Sequence, residues 1–148
     1  MNIRYELLAP ADRKKLPDCV SDMPFGALRT NHMFLMDYSD GKWHDARIVP
    51  YGPIPLMPGA VVLHYGQGIF EGAKAFRHPD NEIYLWRFDK NAARINHSAR
   101  NICMAEVPED IQKEQVVLPH VRLSAIITLW ICRFICVLRL NCTSNALL

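Results

Sequence analysis

The sequence predicts an α+β fold, an antiparallel sheet of hairpins with one packed helix. Three observations carry that reading. Two β-compatible runs flank an Asp-Gly turn signal at 39–41, two more flank Pro79-Asp80-Asn81-Glu82, and an amphipathic stretch follows directly. Two hairpins and a helix bury their apolar faces most simply as a sheet with the helix laid against it.

Residues 1–24 mix charge with Pro10, Pro17 and Pro24 and read as a loosely packed arm. From Met33 the pattern changes: MFLMDY is strand-like, and KWHDARIVPY answers it with Trp43, Ala46 and Ile48. Pro50, Pro53, Pro55 and Pro58 forbid regular structure, so 50–59 is an extended connection. AVVLHY (60–65) then reads as a short buried segment. AKAFRH and IYLWRF (83–88) form the second hairpin.

Asp89 sits where a helix N-cap belongs. Behind it Ala92, Ile95, Ala99, Ile102 and Cys103 make one apolar stripe, with Lys90, Asn91, Arg94 and Ser98 off it. That helix should end near Met104, before Pro108.

Composition bounds the function. The 148 residues are 50% hydrophobic and 22% charged, which describes a globular chain long enough to bury a core. A net charge of +2 gives no nucleic-acid or membrane-surface signal. The first residues lack the apolar core of a secretory signal, so a cytoplasmic location is expected. Five cysteines, at 19, 103, 132, 136 and 142, form neither a disulfide framework nor a zinc-ligand spacing, and reduced thiols with no metal site are expected.

The densest stretch is Leu63 to Arg77, LHYGQGIFEGAKAFR. Gly66, Gly68 and Gly72 stand among Tyr65, Phe70 and Glu71, poor material for a regular helix or strand. It suits either a glycine-rich turn or a place where backbone and rings approach a ligand. With PYGPIPLMPGAVVLHYG before it and WRFDKNAARINHSARN after it, this stretch resembles the branched-chain amino-acid aminotransferases, enzymes of the pyridoxal-phosphate fold-type IV class. The resemblance runs from about Phe25 to Gln112 and implies the small N-terminal domain of that class.

The resemblance also implies roles. Arg94, in NAARINHSAR, matches the arginine that binds the cofactor phosphate, a task suited to a guanidinium fork. Tyr65 and Phe70 match the aromatics lining the pocket for the substrate's branched side chain, and Lys74 falls where a basic residue stands at the pocket entrance. Gly66 and Gly72 are expected to serve the backbone turn. His64 and Glu71 are read as structural, Arg100 as a solvated helix-face arginine, and Phe76 as standing where tyrosine is more usual. No lysine among 14, 15, 42, 74, 90 and 113 matches the one that holds the cofactor covalently, so no catalytic residue is assigned.

The implied reaction moves an amino group between Leu, Ile or Val and 2-oxoglutarate, in a homodimer, with pyridoxal 5′-phosphate as cofactor. An apolar pocket separates substrates differing by one methylene by only about 1–3 kcal/mol, so all three branched substrates are expected. Two alternatives stay open: a non-catalytic assembly module pairing with a full-length subunit, and a related fold-type IV enzyme (D-amino-acid aminotransferase or aminodeoxychorismate lyase).

Residues 113–148 differ. From Val116 onward there is no Asp or Glu, three of the five cysteines are present, and Arg122, Arg133 and Arg139 are the fixed charges. A frameshift or truncation is expected to account for this hydrophobic tail, and amino transfer by this chain alone is not expected. The rival is a membrane helix at 123–140. Its clean apolar run, Leu123 to Cys132, is half the roughly 20 residues a span needs, so a membrane is not expected.

Overall fold

The computed structural model describes residues 2–14, 30–77, 83–116, 127–131 and 135–143. The arm contributes strand β1 (Arg4–Tyr5) and a 3-10 turn (Pro10–Asp12). Next come β2 (His32–Ser39), β3 (Lys42–Pro50), a short helix α1 (Val61–Tyr65), β4 (Gly68–Arg77) and β5 (Ile83–Leu85). Helices α2 (Phe88–Asn101) and α3 (Glu109–Val116) follow, then β6 (Ile127–Ile131) and β7 (Ile135–Thr143).

All seven strands join one sheet in the order β1-β3-β2-β6-β7-β4-β5. The expected hairpins form: β2 pairs antiparallel with β3, and β4 with β5. The turn at 79–82 lies outside the described residues. The sheet as a whole is mixed, contrary to the antiparallel expectation. β1 with β3, β2 with β6, and β4 with β7 are parallel ladders. The first comes from the arm and the other two from the tail, whose antiparallel β6–β7 pair sits between the two hairpins and parallel to both neighbours. The 123–140 stretch is therefore strand wherever it is described. Among the described residues no helix is long and apolar enough to cross a membrane.

In the first hairpin Asp40 (φ 51°) and Gly41 (φ 76°) both take positive φ, the primed turn that matches strand twist. Five consecutive residues of β2, His32 to Met36, are buried, as befits a strand covered on both faces. In β3 the spacing Trp43, Ala46, Ile48 breaks strict alternation, and a bulge explains it. Register shifts between Leu35 and Asp37, and Asp45 takes φ 50°. The extra residue returns Trp43 to the core side, where it packs on the cluster and its Nε1–H donates to the Glu106 carbonyl at 2.7 Å.

The core gathers Phe34, Met36, Ala46 and Ile48 from the sheet with Phe88, Ile95, Val107 and Ile111 from the helical side. Ile69, Ala73 and Leu85 pack against it from β4 and β5.

Helix α2 departs from expectation at both ends. Its N-cap is Arg87 in the left-handed region, while Asp89 lies in the first turn, where a carboxylate favours the helix dipole without capping. It stops at Asn101. The Met104 N–H returns to the Ala99 carbonyl (2.8 Å) and the Cys103 N–H to that of Arg100 (3.2 Å). This is a left-handed C-terminal cap with Cys103 at φ 56° where glycine is usual. Ala92, Ile95 and Ala99 are buried as expected, joined by Phe88 and Asn96, but Cys103 turns outward.

Two helices were not expected. α3 follows Pro108 and opens with Glu109 and Asp110. α1 occupies the segment read as buried, yet none of its residues is buried. Gly66 ends it at φ 60°, the turn role expected of that glycine.

Candidate functional site

β4 runs through the glycine-rich stretch that seemed unfit for a strand. Gly68 and Gly72 carry ordinary strand backbone because the ladder to β7 holds every residue from Gly68 to Phe76. Gly72 therefore serves no turn.

Strand alternation sorts the side chains. Ile69, Glu71 and Ala73 face the helical side, with Ile69 and Ala73 against the core. Glu71 is 5% exposed, the one buried carboxylate among the described residues. Phe70 points to the opposite face and is 80% exposed; Tyr65, at the end of α1, is 85% exposed.

Arg94 sits in mid-α2 and lays the side of its guanidinium on Glu71. Nε donates to Oε2 at 2.6 Å and Nη2 donates to Oε1. The same Oε1 accepts the Gly72 N–H at 2.9 Å and Asn91 Nδ2 at 3.1 Å, while Asn91 Nδ2 also reaches the Gly72 carbonyl at 2.8 Å. Burial pushes the Glu71 carboxyl up, but donors from Arg94, Asn91 and Gly72 outweigh it and hold it below its ordinary value. Arg94 is raised by its hydrogen bond to Glu71 and then by that carboxylate's charge. Its side chain stays 66% exposed, so the pair has a buried anionic end and an open cationic one.

Sequence reasoning had Arg94 and Glu71 separately, and Asn91 only as a residue off the stripe. The usable signal was spacing: Asn91 and Arg94 are three apart, on one helix face. The structure joins Arg94, Glu71 and Asn91. It does not bring Phe70 onto their face of the sheet. Tyr65 is near β4 in sequence, while the polar contacts of the Arg94 guanidinium are with Glu71, and the Lys74 side chain lies outside the described residues.

The surroundings are held by backbone bonds. Gln67 Nε2 donates to the Ile102 carbonyl at 2.7 Å, tying the turn before β4 to the end of α2. His64 Nε2 bonds the Pro58 carbonyl at 2.6 Å, consistent with a structural histidine. Arg100 is exposed and paired with Glu106 rather than merely solvated. Among the described residues no group of three His, Cys, Asp or Glu is placed to hold a metal ion.

These features define a small α/β domain with an arginine paired to a buried carboxylate on a strand that shows Phe70 to solvent. The chain is similar to the branched-chain-amino-acid aminotransferase of Mycobacterium tuberculosis, 45% identical over 103 residues, 69% of this chain and 28% of that protein. It is 51% identical over 88 residues to that of Mycolicibacterium smegmatis, covering 59% of this chain and 24% of the relative. With the branched-chain-amino-acid aminotransferase 2 of Bacillus subtilis it shares 42% over 109 residues, 73% of this chain and 29% of the relative. The chain thus spans about a quarter of the length of the curated relatives it matches. No protein-family model matches it.

Proposed function

We propose that this chain is the small-domain portion of a branched-chain amino-acid aminotransferase and carries half of a pyridoxal-phosphate site. The observation that supports it most is the Glu71–Arg94 pair set beside an exposed aromatic strand, within a sequence 42–51% identical to proteins of that name.

The donor set fits a phosphate monoester. A guanidinium has five N–H donors and Glu71 takes two, so three remain on a group that is two-thirds exposed. Tyr65 and Phe70 offer apolar surface for a branched side chain, worth roughly 25 cal/mol per Å² buried. Phe70 and Arg94 lie on opposite faces of β4, yet one ligand can meet both at a strand edge. Among the described residues β5 pairs with β4 from Ala75 to Arg77, leaving Gly68 to Lys74 with no described strand on that side.

When bound, the cofactor supplies an electron sink for removal of the amino acid's α-proton. This chain's residues anchor and orient: Arg94 holds the phosphate, and Tyr65 with Phe70 excludes water from the substrate side chain. Leu, Ile, Val and 2-oxoglutarate as substrates, Lys74 at the pocket entrance, the homodimer and a cytoplasmic location belong to the same proposal. One arginine makes too few contacts for tight cofactor retention. The 148-residue chain on its own is expected to bind weakly and not turn over leucine.

A chimera tests this. Residues 30–112 replace the matching segment of the Mycobacterium tuberculosis relative, and amino transfer from leucine to 2-oxoglutarate is assayed. An active chimera that loses activity with Arg94→Ala supports the reading; a folded chimera indifferent to Arg94→Ala overturns it.

The exposed aromatics favour one further reading, a non-catalytic module that docks on a full-length subunit. Trp86 is 78% exposed and Tyr84 54%, adding to Tyr65 and Phe70. Co-purification with a full-length aminotransferase, abolished by Phe70→Ser and Trp86→Ser together, would support it.

A further inference from the structure

We infer that Glu71 is a positioning residue that aims the free edge of Arg94 at an anionic ligand; this rests on the reading of Arg94 as a phosphate anchor. The guanidinium has a side edge, Nε with one Nη2 hydrogen, and an end edge, one Nη1 hydrogen with the other Nη2 hydrogen, while the second Nη1 hydrogen points back toward Cδ. Glu71 occupies the side edge completely. What remains is the end edge, a fork suited to two phosphate oxygens.

The carboxylate is itself fixed. Its Oε1 takes the Gly72 N–H and Asn91 Nδ2, and Asn91 is tied in turn to the Gly72 carbonyl. These bonds take up the N–H and the carbonyl of Gly72, which lies outside the described Ala75–Arg77 ladder to β5, so the clamp is built on that side of β4. Glu71 is buried while Arg94 is open to solvent, so the pair cannot turn over and present the carboxylate. A bare arginine on a helix surface would spread over many rotamers, each aiming its donors elsewhere. Glu71 removes that freedom before a ligand arrives.

The alternative sign is competition, in which Glu71 neutralises Arg94 and weakens anion binding. Geometry favours positioning, because the bonds to Glu71 leave the end edge intact.

The test uses the full 148-residue chain with inorganic phosphate, pyridoxal 5′-phosphate and pyridoxal as probes, followed by NMR titration. Glu71→Gln is expected to weaken phosphate binding about tenfold while leaving pyridoxal affinity unchanged. Asn91→Ala, which loosens the carboxylate without removing it, is expected to give a loss of about threefold and covers a Glu71→Gln chain that fails to fold. Phosphate binding equal to or tighter than wild type in both variants overturns the inference. If Arg94→Gln leaves phosphate affinity unchanged, or the wild-type chain shows no difference between pyridoxal 5′-phosphate and pyridoxal, the anchor reading falls first, and the two failures are distinct.

Discussion

β2 and β4 are both strands of one sheet, and they are built on opposite logic. In β2 five neighbouring side chains are buried, and Phe34 is fully enclosed. In β4 the largest described side chain, Phe70, is 80% exposed, and the most buried is the carboxylate of Glu71. A strand made only for stability would reverse those two positions, since burying a carboxylate costs several kcal/mol unless it is paired. β4 keeps its charge inside because Arg94, Asn91 and Gly72 compensate it, and keeps a ring outside, exposed to solvent. The difference separates a strand that holds the fold from one proposed to hold a site.

The sharpest way to break this contrast is to truncate one ring in each strand. Phe34→Ala should cost about 3–5 kcal/mol in chemical denaturation, as for a fully enclosed core ring. Phe70→Ala should change stability by less than about 0.5 kcal/mol. Equal losses would erase the distinction.

Arg94→Ala should come next, at about 1–2 kcal/mol. It strands a buried carboxylate, which can cost about 3–5 kcal/mol, but the arginine's exposure and the donors left from Asn91 and Gly72 reduce the loss. Acid should reveal the same pair. The folded Glu71 lies below its ordinary 4.5, so its contribution is present above 4.5 and lost as pH falls through the folded value. Thermal melts from about pH 5 to pH 3 should show a smaller decline in Arg94→Ala than in wild type, because burial then opposes ionisation with fewer donors against it.

A smaller effect than that of Arg94 belongs to His32 of β2. His32 is buried, and its Nε2 accepts the Leu8 N–H at 2.9 Å, tying the arm to the sheet. Burial, then the charge of Arg13, lowers its affinity for a proton. Its contribution is present above the ordinary 6.5 and is lost as pH falls from there towards the folded value. Protonation of the folded imidazole, as pH falls through that lowered value, turns the acceptor into a donor, so the Leu8 amide should lose its protection there, with a stability loss of about 1 kcal/mol.

What the sequence made legible was local. Asp40-Gly41 announced its turn, the Ala92–Ala99 stripe announced its helix, and Gly66 its left-handed cap. What it hid depended on distant partners. The glycines of β4 read as breakers because the ladder supporting them comes from β7, over sixty residues later. Trp43 fell out of step with Ala46 because the bulge at Asp45 is set by pairing with β2. Glu71 looked structural because its partner Arg94 is 23 positions away, and the clamp exists only once α2 lies across β4. α3, by contrast, carried a readable start in Pro108, Glu109 and Asp110.

The most direct measurement is a residue-by-residue NMR map of the 148-residue chain titrated with pyridoxal 5′-phosphate. The account predicts shifts at Glu71, Gly72, Asn91 and Arg94 together with the rings of Tyr65 and Phe70, because one ligand beside Gly68 to Lys74 of β4 touches both faces. Shifts confined to other parts of the sheet, or at Arg94 with both rings silent, would contradict it.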